Sequence, residues 1–137
     1  MAYFNKIGLL LLSDDKSKFL VCEKDNFTSD FIMPGGQLED GEDDLKCLVR
    51  EIDEELAVKT DESSLKYINE YVDVAAGDPT KDVSIKLYAG KIFGVPKPSA
   101  EIIKFHWIGK TDLSHPRLSP IVKNKILPDL IAKNIIK

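Results

Sequence analysis

The sequence predicts one layered domain of the α/β or α+β class, with strands and helices packed around a single core. Two observations support this fold class. Short apolar runs typical of strands occur both before and after one strongly amphipathic helix. The chain has 137 residues, which is the size of one ordinary domain, so we assign residues 1–137 to a single domain.

The first half of the chain is expected to begin with strands. Residues 4–12 and 18–23 are predicted strands, and the short polar segment between them favours a hairpin. Residues 24–30 are predicted to form a polar loop. Residues 31–33 are predicted to form a short strand that stops at the Pro34-Gly35-Gly36 sequence.

A helix is predicted over residues 42–56. Its acidic first turn, with Glu42, Asp43 and Asp44, suits the positive end of a helix dipole. Apolar side chains recur at steps of three and four residues, which places them on one stripe that can face a core. This stripe contains Leu45, Leu48, Val49, Ile52 and Leu56.

The second half of the chain predicts three more strands and a C-terminal helix. Residues 65–74 and 83–93 are predicted strands around a polar loop at 77–82, and residues 102–108 are the last predicted strand. Ser119 and Pro120 resemble an N-cap followed by proline at the first helical position. We expect the helix that follows to be interrupted near Pro128.

Composition and charge limit the class of function. Charged residues make up 31% of the chain and the formal net charge is −4, so binding to long nucleic acid is not expected. A small anionic substrate remains compatible with this charge if metal ions neutralise the site. The apolar run at residues 7–12 is too short to cross a membrane. Only two cysteines, Cys22 and Cys47, are present, which favours free thiols and a cytoplasmic location.

Three carboxylates on the predicted helix form a candidate metal site. Glu51, Glu54 and Glu55 stand at i, i+3 and i+4 and so share one face beside the apolar stripe. Like charges this close repel one another, and a hard cation such as Mg²⁺ would offset the repulsion. A plain solvated acidic surface is the alternative. The Gly35-Gly36 turn favours the metal site, because its backbone can approach a ligand without side chains in the way.

Residues 36–58 read GQLEDGEDDLKCLVREIDEELAV. This segment resembles the box of the Nudix hydrolase family: Gly, five residues, Glu, seven residues, Arg-Glu, an aliphatic residue, any residue, Glu-Glu, any residue, Gly and an aliphatic residue. Ala57 stands where the box has glycine, at a position that normally takes a left-handed backbone. All other fixed positions match, and they are Gly36, Glu42, Arg50, Glu51, Ile52, Glu54, Glu55 and Val58.

The resemblance implies a Nudix-type α/β/α sandwich with a mixed β-sheet between helices. It also implies Mg²⁺- or Mn²⁺-dependent hydrolysis of a phosphoanhydride bond in a nucleoside diphosphate-linked small molecule. The small size of the chain favours a nucleoside triphosphate as the substrate. The implied metal ligands are the Gly36 carbonyl, Glu51, Glu54 and Glu55. Arg50 is implied to orient a catalytic carboxylate.

The general base is left open by the resemblance. Glu51 and Glu54 are candidates inside the box, and Glu101 is the best candidate outside it, ahead of Asp78 and Asp82. Glu42 is expected to be either a more distant or water-mediated metal ligand or a partner of the helix dipole. His106 is expected to be structural, and Cys47 to be a tightly packed small residue.

Several other functions and features also stay open. The fold could serve as a non-catalytic nucleotide sensor or as an isoprenoid diphosphate isomerase, and the substrate could be a nucleotide sugar or a dinucleoside polyphosphate. Without the resemblance, the chain would be a soluble acidic domain that binds Mg²⁺ or Ca²⁺. A homodimer is also left open. Aromatic residues that could stack on a base are Phe4, Phe31, Tyr88 and Phe93.

Overall fold

A computed structural model describes residues 2–25 and 30–137. Residues 26–29 of the predicted polar loop lie outside the described residues. The described chain contains six strands, a central helix and a helical C-terminal segment. Their bounds are β1 (Phe4–Leu10), β2 (Lys18–Lys24), β3 (Gly35–Gln37), α1 (Asp44–Leu56), β4 (Lys59–Ala75), β5 (Asp78–Phe93), β6 (Ile102–Gly109), a 3₁₀ turn (Lys110–Asp112), a π-helical turn (Val122–Ile126) and α2 (Leu127–Ala132).

The strands form a mixed sheet and a smaller two-stranded sheet. Four strands lie in the order β3-β1-β5-β4, in which β1 and β5 are parallel and the other two pairs are antiparallel. β2 and β6 pair antiparallel in the second sheet. The parallel pair β1–β5 is joined through α1 and β4, so residues distant in sequence meet at the centre of the sheet.

The four-stranded sheet separates two hydrophobic cores, so the prediction of a single core is wrong. Side chains alternate across a strand, and each face of the sheet therefore has its own core. On one face, Ile7 and Leu9 of β1 share a core with Leu48 and Ile52 of α1. On the other face, the core combines strand residues with the C-terminal helix, and it includes Leu10, Ile85, Leu87, Leu127 and Leu130. The predicted α/β/α sandwich with a mixed sheet between helices is therefore confirmed.

The predicted hairpin of the first two strands is correct only near its turn. There, the Leu20 N–H donates to the Leu11 carbonyl at 3.0 Å, and Leu12 bridges to Phe19. β2 then leaves β1 and pairs with β6. The reason is that both edges of β1 are already taken, by β3 on one side and β5 on the other.

The short strand predicted at residues 31–33 is wrong, since it forms only isolated bridges, from Phe31 to Leu118 and from Ile32 to Cys22. The strand lies instead at β3, where a turn was predicted. Gly35 adopts a φ of 138° and lies against β1, and a Cβ at this position would overlap the Ile7 carbonyl oxygen. Glycine permits both the dihedral angle and the close approach.

The predicted loop at residues 77–82 is mostly strand. The turn is confined to Ala76 and Gly77, and Gly77 has a φ of 77°. Asp82 pairs with Val74, and Asp78 pairs with Ala75 across a bulge. The polar composition of this segment therefore marks an exposed end of the hairpin rather than its loop. β4 also begins earlier than predicted, at Lys59 rather than at residue 65.

The C-terminal helix begins at Pro120, but Ser119 does not cap it with its side chain as predicted. The Ser119 carbonyl accepts from the Lys123 N–H at 3.0 Å, while its hydroxyl has no partner in the described part of the chain. The predicted interruption near Pro128 takes the form of the π-helical turn, in which the Leu127 N–H donates to the Val122 carbonyl. Proline has no N–H to continue the regular hydrogen-bond ladder.

A hydrogen bond between Tyr71 and Asp129 joins β4 to α2 and gives a first prediction. The Tyr71 hydroxyl donates to Asp129 Oδ2 at 2.5 Å, and this bond, together with Lys133, holds the pKa of Asp129 below its usual value. We expect Tyr71→Phe to lower the free energy of unfolding by about 1.5–3 kcal/mol at pH 7, as for other hydrogen bonds to charged groups. Urea denaturation at pH 7 and pH 3 measures this.

The pH dependence of that effect has a definite sign. A carboxyl whose folded pKa is lowered stabilises the fold above its unfolded pKa of about 3.9, and this contribution is lost as pH falls through the folded value. The parent protein should therefore lose its advantage over Tyr71→Phe as the pH approaches 3. An equal difference at both pH values would attribute the loss to packing alone.

Candidate active site

The start of α1 is fixed by an N-cap and by an ion pair between Glu42 and Arg50. Asp43 is the N-cap, and its side chain accepts from the Lys46 N–H at 2.8 Å. Glu42 therefore precedes the helix, and its predicted place in the first turn is wrong. Its carboxylate accepts from Arg50 Nε at 2.7 Å and from Arg50 Nη2 at 3.0 Å. Arg50 and the Glu39 N–H lower the pKa of Glu42 to about 2.

Arg50 lies at the centre of a group of carboxylates around α1, which we call the acidic cluster. Its guanidinium lies within 3.5 Å of four carboxylates and also donates to the Gln37 carbonyl at 3.1 Å, so it ties the loop before α1 to the helix. The Arg50 Nη1–Glu51 Oε1 distance is 2.9 Å, which is the contact that an orienting residue needs. The four carboxylates belong to Glu39, Glu42, Glu51 and Glu54.

The side chain of Glu51 packs directly against Gly36. A Cβ at Gly36 would overlap the Glu51 carboxylate, so only glycine allows this approach. The Gly36 carbonyl lies 3.7 Å from the Cys47 thiol one turn earlier on α1. Gly36 and Glu51, which were both predicted to ligate a metal, therefore lie side by side.

Glu55 is buried, with 2% of its surface exposed. Its Oε1 accepts from the Gly35 N–H at 2.9 Å, and its Oε2 lies 3.5 Å from Lys24 Nζ. Burial raises the pKa of Glu55 to about 7, although Lys24 and the Gly35 N–H oppose the shift. Glu54, in contrast, is 54% exposed at its side chain. The helical face thus carries its carboxylates in different environments.

Lys24 links Glu55 to the loop before β6. Its Nζ lies 3.3 Å from Glu101 Oε1 as well as near Glu55. Burial lowers the pKa of Lys24, but Glu55 and Glu101 outweigh burial and the pKa lies above its usual value. Lys6 is half-buried nearby, and burial together with Lys24 lowers its pKa.

A cleft of 460 Å³ brings several predicted site residues together. We call it the acidic cleft; Gly36, Glu51 and Glu101 line it, and the other lining residues are Lys6, Lys24, Gly35, Gln37, Leu38 and Glu39. Neither Asp78 nor Asp82 is among them. Asp78 accepts from the Thr80 hydroxyl, and Asp82 accepts from the Tyr3 N–H, both in the region of the β4–β5 turn.

Sequence reasoning missed Lys6, Lys24 and Gln37 as residues of the cleft. Lys6 gave one signal, because it is a lone charge beside an apolar strand run. Lys24 gave none, since a lysine at the end of a strand is usually solvated.

A second cavity of 260 Å³ adjoins the acidic cleft, and the two share Lys6, Lys24 and Gln37. Of the four aromatic candidates for base stacking, Phe4 lines this cavity and the others do not. Phe31 stacks on His106 with ring centroids 3.9 Å apart, which agrees with a structural histidine. Tyr88 donates to Asp44, and Phe93 is exposed.

The chemistry of the acidic cluster fits a hard divalent cation. The predicted ligands are all oxygen donors, as Mg²⁺ prefers. Within the described residues, no three His, Cys, Asp or Glu side chains are already grouped to hold a metal. The carboxylates instead face Arg50 and Lys24, which contact six carboxylates between them. This excess of negative charge is what a bound cation would offset.

The NUDIX domain family model matches residues 3–130. The MutT protein from Methanosarcina mazei Go1 is similar in structure, with a TM-score of 0.79, 18% identity and coverage of 97% of this chain and 96% of that one. The ORF135 protein of E. coli gives a TM-score of 0.74 at 18% identity and covers 96% and 90%. A comparison with curated proteins found no match.

The family match covers most of the chain, so the chain belongs to the Nudix family, as its box predicted. The solved structures agree on the fold. Nudix enzymes hydrolyse compounds in which a nucleoside diphosphate is linked to another group, and the expected class of enzyme, a Nudix pyrophosphohydrolase, is thereby confirmed. Across residues 2–25 and 30–137, no helix is both long and apolar enough to cross a lipid bilayer.

Proposed function

We propose that the chain is a Mg²⁺- or Mn²⁺-dependent pyrophosphohydrolase that converts a nucleoside triphosphate into a nucleoside monophosphate and pyrophosphate. The observation that carries the proposal is the acidic cleft, where Glu51, Glu101 and the bare Gly35–Gly36 backbone face one space. Lys6 and Lys24 line the same space, and their positive charge suits a polyphosphate chain.

The Gly36 carbonyl, Glu51, Glu54 and Glu55 would hold the metal. A bound divalent cation stabilises the charge on phosphate oxygens and lowers the pKa of water. Arg50 acts as a positioning residue. Its Nη1 lies 2.9 Å from Glu51 Oε1, and its Nη2 donates to the Gln37 carbonyl in the segment before α1. The Glu51 carboxylate is thereby held against Gly36.

In the proposed reaction, a water oxygen bonds to phosphorus, a bridging phosphorus–oxygen bond breaks, and a carboxylate accepts the proton of the water. Glu101 is our choice among the loop carboxylates, since it lines the acidic cleft and Asp78 and Asp82 do not. Glu51 and Glu54 remain alternatives inside the box. A comparison of pH–rate profiles for Glu101→Gln and Glu51→Gln would separate them, because loss of the base removes the acidic limb.

The products give the second prediction. We expect a triphosphate substrate to yield the monophosphate and pyrophosphate, with heavy oxygen from labelled water entering one phosphate group. Mass spectrometry of both products measures this. Label in the ribose or the base would contradict attack at phosphorus, and release of orthophosphate alone would contradict the position of cleavage.

A substrate panel tests the proposed function as a whole. Nucleoside triphosphates, nucleotide sugars and dinucleoside polyphosphates are incubated with the protein, with and without Mg²⁺. We expect metal-dependent turnover to be fastest with one of the triphosphates. If the protein bound a nucleotide but hydrolysed none of the panel, the non-catalytic nucleotide sensor would be favoured. If a nucleotide sugar or a dinucleoside polyphosphate were hydrolysed fastest, that compound class would replace the triphosphates as the proposed substrate.

We also propose that residues 1–137 act as one catalytic domain in the cytoplasm. Cys22 and Cys47 are both free and buried, which suits a reducing compartment. Burial raises the pKa of both thiols, so neither is a ready nucleophile.

A further inference from the structure

The turn before β6 contains a left-handed residue that is not glycine. The Ile102 N–H donates to the Ser99 carbonyl at 3.0 Å, which closes a turn with Ala100 and Glu101 at its centre. Ala100 has a φ of 53°, and the φ of Glu101 is not positive. A positive φ at the first central residue alone is typical of a type II′ turn, in which glycine is favoured at that position. The backbone of Ala100 is therefore strained.

The chain on both sides of this turn is fixed to α1. Before the turn, the Ser99 N–H donates to the Glu55 carbonyl at the end of the helix, at 3.0 Å. After the turn, Ile102 is 4% exposed and packs in the core that contains the apolar side of α1. Because both flanks are held, the backbone of Ala100 sets the direction in which Glu101 leaves the turn.

The side chain of Glu101 is weakly held in the acidic cleft. It is 52% exposed, and its Oε1 lies 3.3 Å from Lys24 Nζ. Lys24 Nζ also lies 3.5 Å from Glu55 Oε2, so one ammonium group is shared between two carboxylates. An ion pair with so exposed a member contributes little. The backbone is held more firmly, because the Glu101 carbonyl accepts from the Asp25 N–H at 2.8 Å.

We propose that Ala100 is a positioning residue, whose left-handed backbone aims the Glu101 carboxylate into the acidic cleft. The inference rests on the proposed function, in which Glu101 accepts the proton of the attacking water. Strained backbone conformations persist where the surrounding structure enforces them, and they are concentrated at functional sites. The two anchored flanks of the turn enforce this one. A base that is displaced lowers the rate even when the substrate still binds.

The test compares Ala100→Gly with Ala100→Val. Glycine adopts a positive φ without strain, so Ala100→Gly should keep kcat within about twofold of the parent value. Valine is branched at Cβ and disfavours this conformation strongly, so the turn should shift and move Glu101. We expect kcat of Ala100→Val to fall about 10- to 100-fold, with KM changed less than about threefold. Ala100 is exposed, so the added methyl groups displace no core residue.

Two further measurements separate positioning from a purely structural effect. In a Glu101→Gln background, Ala100→Val should lower kcat no further, because the carboxylate that it displaces is already absent. In the metal-free protein, amide hydrogen exchange followed by NMR reports on the turn without any turnover. Exchange at the Ile102 N–H should be faster in Ala100→Val and close to the parental rate in Ala100→Gly.

Asn134→Val is the matched control. Asn134 is also exposed and left-handed, with a φ of 56°, but it follows α2 and lines neither the acidic cleft nor the cavity beside it. The control should lower stability in urea denaturation and leave kcat unchanged. If Ala100→Val does not fold, Ala100→Leu replaces it, because a side chain that is unbranched at Cβ strains the turn less.

Several results would overturn the inference. They are a parental kcat or parental exchange at Ile102 in Ala100→Val, an equal loss of kcat in Ala100→Gly, an equal further loss in the Glu101→Gln background, and a parental kcat in Glu101→Gln itself. Failure of the proposed function is distinguishable from these. The parent protein would then hydrolyse none of the panel, and both proposals would fall together, whereas failure of the inference alone leaves an active parent.

Discussion

Glu54→Gln should lower kcat by about 100-fold or more, which corresponds to about 2.7 kcal/mol of activation free energy. The substitution keeps the shape of the side chain and removes one negative charge from the proposed metal ligands. Because Glu54 is 54% exposed and its contact with Arg50 is 3.5 Å long, its loss should leave the fold intact. Steady-state kinetics at saturating Mg²⁺ measure the effect, and circular dichroism confirms folding.

Asp53→Asn is the matched control for that prediction. Asp53 neighbours Glu54 on the same helix and is also exposed. Its Oδ2 lies 2.6 Å from Lys59 Nζ, and neither residue lines the acidic cleft. Its substitution removes the same charge and should change kcat less than twofold. A Glu54→Gln enzyme with near-parental turnover, or an equal loss in both variants, would remove Glu54 from the proposed site.

The part of the site that lies on one continuous segment, at α1, could be predicted from the sequence. The spacing of Glu51, Glu54 and Glu55 fixes their shared face, because the periodicity of a helix depends only on local hydrogen bonds. Ala57 illustrates the same point: it adopts a left-handed backbone, with a φ of 56°, although it carries a side chain where the box has glycine. The helix end imposes the conformation, so the residue type changes only its cost.

The contacts of the site that join segments distant in sequence could not be predicted. Lys24 reaches Glu55 and Glu101 because β2 leaves β1 to pair with β6, and that choice depends on which sheet edges are free. The β3 strand was missed for a related reason. Its glycines indicate a turn by composition, yet they allow close packing against β1 and against Glu51. Contacts between distant segments decided both outcomes, and a single sequence does not record them.

The same cluster of charges predicts a large effect of metal on stability. Arg50 contacts four carboxylates and Lys24 contacts two, so the cluster carries more negative than positive charge. A cation that binds only the folded state at 100 times its Kd adds about 2.7 kcal/mol of stability. For a chain of this length, we expect Mg²⁺ or Mn²⁺ at that level to raise the melting temperature by about 10 °C.

The Glu51→Gln/Glu55→Gln variant should abolish that rise, because it neutralises two proposed ligands, one packed against Gly36 and one that accepts from the Gly35 N–H. Thermal melts with and without metal are compared at matched ionic strength, since salt alone screens repulsion between carboxylates. Glu62→Gln/Glu70→Gln is the control: it removes the same charge from two exposed positions on β4 and should keep the full rise. If the Glu51/Glu55 variant showed the parental rise, the cation would be binding elsewhere. If the control lost the rise as well, net charge rather than a defined site would explain the metal effect.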